Sequence, residues 1–480
     1  MTYLSLHPGR GAPLLMVLAV AISGCATIQP PQPDVQVTSA AFTSADEATS
    51  DTETGDLPVV DWWQQFNDAE LNELVQQALA GNYSLKSAAA RVDQSLASLR
   101  GTRSDYYPTV NLEAGKKRTW NGDDSTSDLW SAGITASYEV DLWGGIRAGA
   151  AQSEYNAIAS EAAYRTLANT VAGQITTYWS GLRMQAENLR LLNEQKQRLE
   201  TALQVIEGRK RRGQAALTDV WQQQKLVESI NVDIHAAEAQ RDIYLQQLAL
   251  WTGSGEKPLT AGDVINLEPL AQPDFGIESV PLEALKARPD VQQAYASLQA
   301  ASAGVAIAVA NRFPRFSLTA SYTGQDNQLS QVMDNWVASL AGSLVLPLID
   351  GANRRAEVQR QKAAEREALA DYSQTLLEAA QEVEEALVQE SRYQKTLASL
   401  SDQLTLARDT LKLQDYYYAR GQINFLDLLN AQQELLTLES QHLNARWNLA
   451  QARIQLFKAV SHGQFVSGQL ADGQPGELQP

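Results

Sequence analysis

Few side chains in this sequence are spaced for chemistry. Of four histidines, His7 lies in a leader-like N-terminus, while His235, His442 and His462 stand far apart, each on or at the end of a helical pattern. Metal centres and nucleophilic triads draw on denser supplies, so neither a metal nor another cofactor is expected. Trp143-Gly144-Gly145 opens a helical stretch but lacks the glycine spacing of a phosphate-binding loop. The 56 Asp and Glu residues could supply a catalytic carboxylate pair by number alone. No spacing singles one out, and an enzyme is the weaker reading.

The best-placed reactive group is the single cysteine, Cys25. Arg10, the apolar run Leu14 to Ile22 and the small pair Ser23-Gly24 lead up to it, which is the anatomy of a secretory signal. The nine apolar residues of that run are too few to span a bilayer as a helix. Ile22-Ser23-Gly24-Cys25 resembles a lipobox, in which the thiol is lipidated and the cysteine becomes the first mature residue. An unmodified buried thiol and ordinary cleavage nearby are the competing readings; a sole cysteine at this place in a signal favours lipidation. Ala26 follows where sorting to the inner membrane looks for Asp, which favours the outer membrane. A lone cysteine also forbids a disulfide within the chain.

The formal net charge is −18, and loss of Arg10 with residues 1 to 24 makes it more negative by one. So acidic a chain is a poor nucleic-acid binder. Acidic groups lining a lumen would favour cations; the plainer reading is a soluble surface.

The elements that position these groups are written twice. Residues 26 to 58 and about 463 to 480 are polar, rich in Pro, Gln, Ser and Thr or Gly, and read as extended segments. Between them Asn82 aligns with Arg288 and Pro108 with Pro314, both at an offset of 206 residues. Gly144 matches Gly351 at 207, and Gly213 and Asp219 match Gly421 and Asp427 at 208. Such small drift implies two structural copies. Each reads as a helix, two strands, a very long helix, a glycine turn and another long helix.

Ala132, Ile134, Ala136, Tyr138, Val140 and Leu142 alternate with Gly133, Thr135, Ser137, Glu139 and Asp141. A transmembrane β-strand needs about 9 to 11 such residues. Val110, Leu112 and Ala114 alternate likewise, as do Phe316, Leu318, Ala320 and Tyr322; Trp336, Ala338, Leu340, Leu344 and Leu346 give a fourth strand. Asn121 to Asp128 and Gly324 to Gln328 are expected as hairpin loops, with Trp120, Trp130 and Trp336 near the strand ends where aromatic girdles belong. Alternation alone leaves the edge of a soluble sandwich equally open. Membrane barrels must close and start at about 8 strands, so four strands per chain force oligomerisation if they span the membrane. Two copies would supply eight strands and three would supply twelve.

From Gly144 to about Lys210 and from Gly351 to about Tyr418 no proline interrupts the helical pattern, and each stretch reaches on the order of 100 Å. The returning helices carry heptads. Leu428, Leu435, His442, Leu449 and Leu456 form one stripe; Leu429, Leu436, Leu443, Ala450 and Phe457 form the next. Val220, Val227, Ile234 and Leu248 repeat one stripe in the first copy. Two stripes mean apolar neighbours on both sides, as in a closed wall of helices, or a buried central helix in a bundle.

Asp61-Trp62-Trp63-Gln64-Gln65-Phe66-Asn67-Asp68, followed by Leu71, Leu74, Ala78-Leu79, Asn82 and Leu85, resembles the N-terminal signature of TolC-like outer-membrane efflux proteins, especially the lipidated OprM and NodT type. Tyr138-Glu139-Val140-Asp141-Leu142-Trp143-Gly144 is similar to that family's strand-to-helix junction. So are Pro347-Leu348-Ile349-Asp350-Gly351 and the run from Gly421-Gln422 through Leu426 to Gln432. The resemblance covers residues 56 to 463. It implies a mainly α chain with a membrane β-barrel: a homotrimer with a 12-stranded barrel, four strands per chain, on a long α-helical barrel with an equatorial belt. It further implies a periplasmic adaptor, an inner-membrane pump and outer-membrane lipid as partners. The family's periplasmic tip is held shut by polar contacts and acidic rings. By motif, Tyr418 takes the gate tyrosine position, Asp219 a partner position, Asp427 an acidic ring position, and Asn430 a position where some members carry a second aspartate. Ile423 stands where some carry an arginine linking the hairpins, so another closure network is expected, with Arg420, Arg211 and Arg212 as candidates. Ordinary packing of Tyr418 and N-capping by Asp219 and Asp427 are the alternatives.

The expected layout is a signal peptide (1–24), lipid anchor and linker (25–58), first equatorial and tunnel helices (59–107), a barrel hairpin (108–143), tunnel helices (144–253), an equatorial segment with the second copy's first helices (254–313), a second hairpin (314–348), tunnel helices (349–463) and a tail (464–480). The function expected is the exit duct of a tripartite efflux pump. The alternatives are the outer-membrane component of a type I protein secretion system and a lipid-anchored periplasmic coiled-coil scaffold, which leaves the duplicated strands without purpose.

Overall fold

The computed structural model describes residues 61–122, 125–256, 260–264, 267 and 282–461. Cys25 and both terminal segments lie outside the described residues. Two units emerge, one taking in Ala90–Glu161 and Gln293–Gln374, the other the described parts of Gln36–Ala89, Ala162–Gln292 and Thr375–Pro480.

The described elements are α1 (Ala69–Gly81), α2 (Tyr83–Arg103), β1 (Thr109–Trp120), β2 (Thr126–Val140), α3 (Gly145–Arg211), α4 (Leu217–Thr252), α5 (Ala261–Val264), α6 (Leu282–Lys286), α7 (Pro289–Ala310), β3 (Arg315–Asp326), β4 (Trp336–Val345), α8 (Asn353–Ala419) and α9 (Phe425–Val460). The duplication shows in the lengths: α3 and α8 have 67 residues each, and α4 and α9 have 36 each. No described helix is long and apolar enough to cross a membrane.

The strands form one antiparallel sheet in the order β1-β2-β3-β4. Its ladders run further toward the turns than the polar composition suggests. Asp128 sits in β2 opposite Arg118, and Gly324 to Asp326 extend β3. The reason is electrostatic for the first hairpin: Asp128 receives Arg118 at 2.5 and 2.6 Å and Lys116 at 3.2 Å, so a charged row is paired across the ladder. The first loop therefore shrinks to the residues between Trp120 and Thr126, closed by Asn121 N–H on Ser125 O at 2.9 Å. The second loop begins after Asp326 and holds a short 3₁₀ turn, Leu329–Gln331.

In the other unit the Trp62–Phe66 segment is a 3₁₀ turn whose rings are buried. Trp62 stacks on Phe457 at 5.7 Å, and its indole N–H donates to Asn169 Oδ1 at 3.0 Å. Asp68 caps α1 by accepting from Glu70 and Leu71 N–H at 3.1 Å. Its other oxygen accepts from Trp179 Nε1 at 2.7 Å and faces Arg183 at 3.1 Å. One buried carboxylate thus fixes both the start of α1 and its seat on α3. Both expected heptad stripes of α9 face protein: Leu428, Leu435, Leu449 and Leu456 are buried, as are Leu429, Leu443, Ala450 and Phe457. Between them runs a polar stripe at the same spacing, Gln432, Glu439, Arg446 and Arg453. Glu439 accepts from Gln195 at 2.8 Å and Arg198 at 2.6 Å, Arg446 pairs with Glu187, and Arg453 pairs with Glu390 at 2.9 Å. These pairs, with the acid on α9 at Glu439 and the base on α9 at Arg446 and Arg453, fix the axial register of α9 against α3 and α8 more than they add stability.

Candidate functional site: a two-faced sheet and a helical tip

The ladder registers sort the sheet's side chains onto two faces, because successive residues of a strand point oppositely. One face carries Val110, Leu112 and Ala114, then Ile134, Ala136 and Tyr138, then Phe316, Leu318 and Ala320, then Leu340 and Leu344. The other carries Asn111 and Glu113, Thr135 and Glu139, Ser317, Thr319 and Ser321, and Ser339 and Ser343. Ser321 Oγ and Ser339 Oγ meet at 2.7 Å, which confirms the shared polar face. The apolar face is uncovered: Leu112 is 78% and Leu340 79% exposed. Aromatic rings cluster toward the loop end, where Tyr322 stacks on Trp336 at 4.9 Å and Lys116 lies over Trp130 at 4.7 Å. The outer edges of β1 and β4 carry no ladder partner among the described residues, and almost every residue of both strands is exposed. A wide apolar face with two open edges is a surface built to be covered.

The second set of residues lies where the long helices turn back. Gly213 and Gly421, both at φ +73°, end α3 and α8 in the left-handed conformation that glycine adopts without strain. Gly213 N–H donates to Lys210 O and Gln214 N–H to Arg209 O, both at 2.9 Å; Gly421 and Gln422 repeat the pattern on Tyr418 O and Tyr417 O at 3.0 Å. The returning helices are capped by complementary halves of one motif. In the first copy the Asp219 carboxylate accepts from Ala216 N–H at 3.0 Å, and in the second Asn424 Oδ1 accepts from Asp427 N–H at 2.9 Å.

The predicted gate residues therefore separate. Tyr418 is buried, its ring tilted against Phe425 at 5.9 Å. Asp219 serves as a helix cap. Asp427 and Asn430 are exposed on the first turns of α9, and neither they nor Asp219 makes a hydrogen bond or ion pair with Tyr418. Ile423 packs among apolar side chains. Of the arginines suggested for a substitute network, Arg211 and Arg212 are exposed, while Arg420 lies over the Tyr416 ring at 4.0 Å. The arginine that reaches Tyr418 is Arg209, which sequence reasoning passed over. Its guanidinium lies 4.3 Å from the Tyr418 ring centroid and donates to Tyr418 O at 3.0 Å and Ala419 O at 2.9 Å. The run Arg209-Lys210-Arg211-Arg212 advertised basic chemistry here, but only the helical phase of Arg209 directs it to α8. Among the described residues no group of three or more His, Cys, Asp or Glu is placed to hold a metal ion.

The family profile described as "Outer membrane efflux protein" matches residues 74–254 and 280–462, one match for each copy. The chain is 30% identical over 416 residues to the pyoverdine export outer membrane protein OpmQ of Pseudomonas aeruginosa, covering 84% of this chain and 87% of that one. It is 24% identical over 461 residues to the probable outer membrane lipoprotein SilC of Salmonella typhimurium, covering 92% and 96%. Its fold is similar to that of the outer-membrane channel OprN, with a TM-score of 0.81 at 24% identity over 90% of this chain and 99% of that one. A uncovered apolar face with open strand edges, duplicated helices of matched length and this breadth of agreement converge: the chain belongs to the outer membrane efflux protein family.

Proposed function

We propose that this chain is the outer-membrane exit duct of an export pump, closing with two further copies into a 12-stranded barrel and conducting small molecules passively from the periplasm to the exterior. The observation that carries the reading is the two-faced sheet with unpaired edges. Its apolar face suits lipid, its Ser, Thr and Glu face suits an aqueous lumen, and pairing β4 of one copy with β1 of the next removes both edges. Cys25 is the lipid attachment point, holding the N-terminus at the outer membrane. A periplasmic adaptor and an inner-membrane pump are the partners; the pump supplies the work, so this chain needs no catalytic group and no cofactor. At the periplasmic end, Asp427 and Asn430 lie about one turn apart and exposed on α9, and threefold repetition would set them in rings that narrow the passage and favour cations. Tyr418 and Asp219 support that tip by packing and capping.

Single-channel recording of the purified protein in planar bilayers tests this reading. Wild type should give small, cation-selective currents, and Asp427→Ala should raise the conductance and weaken the selectivity. Absence of any current from inserted protein would overturn it.

A further inference from the structure

We infer that Arg209 is the latch of the periplasmic tip, and that it closes the tip by gripping main-chain carbonyls of the other hairpin while Tyr418 serves as its platform through the ring rather than the hydroxyl. The inference rests on the gated-duct reading for its consequence, but the contact is read from geometry alone.

Arg209 belongs to the last turn of α3, in the first hairpin, and both acceptors belong to the last turn of α8, in the second. The final carbonyls of a helix have no partner within it and carry the negative end of its dipole, so a guanidinium there is both a hydrogen-bond cap and a charge complement. Tyr418 O already accepts from Gly421 N–H at 3.0 Å, and Arg209 takes up its second lone pair. Below the guanidinium lies the Tyr418 ring at 4.3 Å, and beyond the ring Phe425 of α9 at 5.9 Å. These contacts run from α3 through α8 to α9 and join the two hairpins. The Tyr418 hydroxyl makes no hydrogen bond among the described residues.

Because the acceptors are backbone carbonyls, no side-chain titration at the acceptor loosens the latch, and substitution at position 418 matters only through ring size and polarity. Tip dilation must then pull Arg209 off α8 and expose the end of that helix.

Two variants decide the matter. Arg209→Met keeps the stem's apolar packing and removes the donors and the charge; Tyr418→Phe keeps the ring and removes the hydroxyl. The full-length wild type and both variants are compared by hydrogen exchange at residues 416 to 424 and by planar-bilayer conductance. Loss of a charge-assisted contact raises the open fraction on the order of 30-fold. Arg209→Met should therefore show faster exchange in this segment and larger or more frequent openings, with Tyr418→Phe close to wild type in both. Unchanged exchange in Arg209→Met, or exchange as fast in Tyr418→Phe, overturns the latch. If wild type carries no current, the duct reading fails while the exchange comparison still decides whether Arg209 fastens the two hairpins.

Discussion

An arginine at Leu340 distinguishes a lipid-facing sheet from a water-facing one. Leu340 pairs with Ala320, Ala320 with Ala136, and Ala136 with Val110, so one row of apolar side chains crosses all four strands at this level. Along β2 the apolar face extends from Trp130 to Val140. Ten steps of about 3.3 Å on a strand tilted by about 40° rise roughly 25 Å, the height of a barrel's lipid-facing band. The Leu340 row meets β2 at Ala136, near the middle of that span. At the midplane Leu340→Arg should cost about 2–4 kcal/mol per chain. Ser339→Arg, one residue away on the polar face, loses the 2.7 Å hydrogen bond to Ser321. That change should cost about 0.5–1.5 kcal/mol. Urea unfolding from lipid vesicles measures both. Equal small effects would refute the assignment, because Leu340 is 79% exposed in the single chain and a charge on a water-facing surface costs within about 0.5 kcal/mol.

Three further outcomes are expected. Asp68→Ala removes the α1 cap and leaves Trp179 Nε1 and Arg183 facing an empty buried site, so thermal stability should fall by about 3–5 kcal/mol equivalent, read by calorimetry. Glu439→Leu strands Gln195 and Arg198; because Arg198 is half-exposed and can rehydrate, the loss should be smaller, about 1–3 kcal/mol by urea titration. His442, bonded to Ser401 Oγ at 3.1 Å, is held below its ordinary 6.5 by burial and then by Arg446 and Arg408, against an opposing pull from Glu187. The unfolded chain then takes up a proton that the folded chain refuses. Its contribution is complete above 6.5 and declines as pH falls below that value, so His442→Gln should flatten the loss of stability between neutral and mildly acidic pH.

Periodicity made much of this architecture legible. Alternation at 132–142 located β2, which begins six residues earlier at Thr126, and the proline-free stretches after Gly144 and Gly351 placed the 67-residue helices within a few residues. The near-constant offset between copies anticipated the matched lengths. Other features depend on contacts between residues distant in the chain. Asp128 reads as loop composition until it faces Arg118 across the ladder, and the α9 stripe of Gln432, Glu439, Arg446 and Arg453 reads as surface until Gln195, Glu187 and Glu390 meet it. Heptad spacing of those residues was a usable signal, since a polar stripe between two apolar ones must face the neighbouring helices. Arg209 carried none beyond its place in a basic run. Which of four adjacent cations reaches the second hairpin is set by helical phase and by the turn geometry at Gly213, both tertiary facts.

On the proposed assembly four strands per chain make a third of one closed barrel, and native mass of the detergent-solubilised protein tests this most directly. Three copies per particle, retained at low concentration, is the predicted result. A stable single copy that stays inserted in lipid would contradict it, because the edges of β1 and β4 would then face hydrocarbon with their backbone groups unpaired.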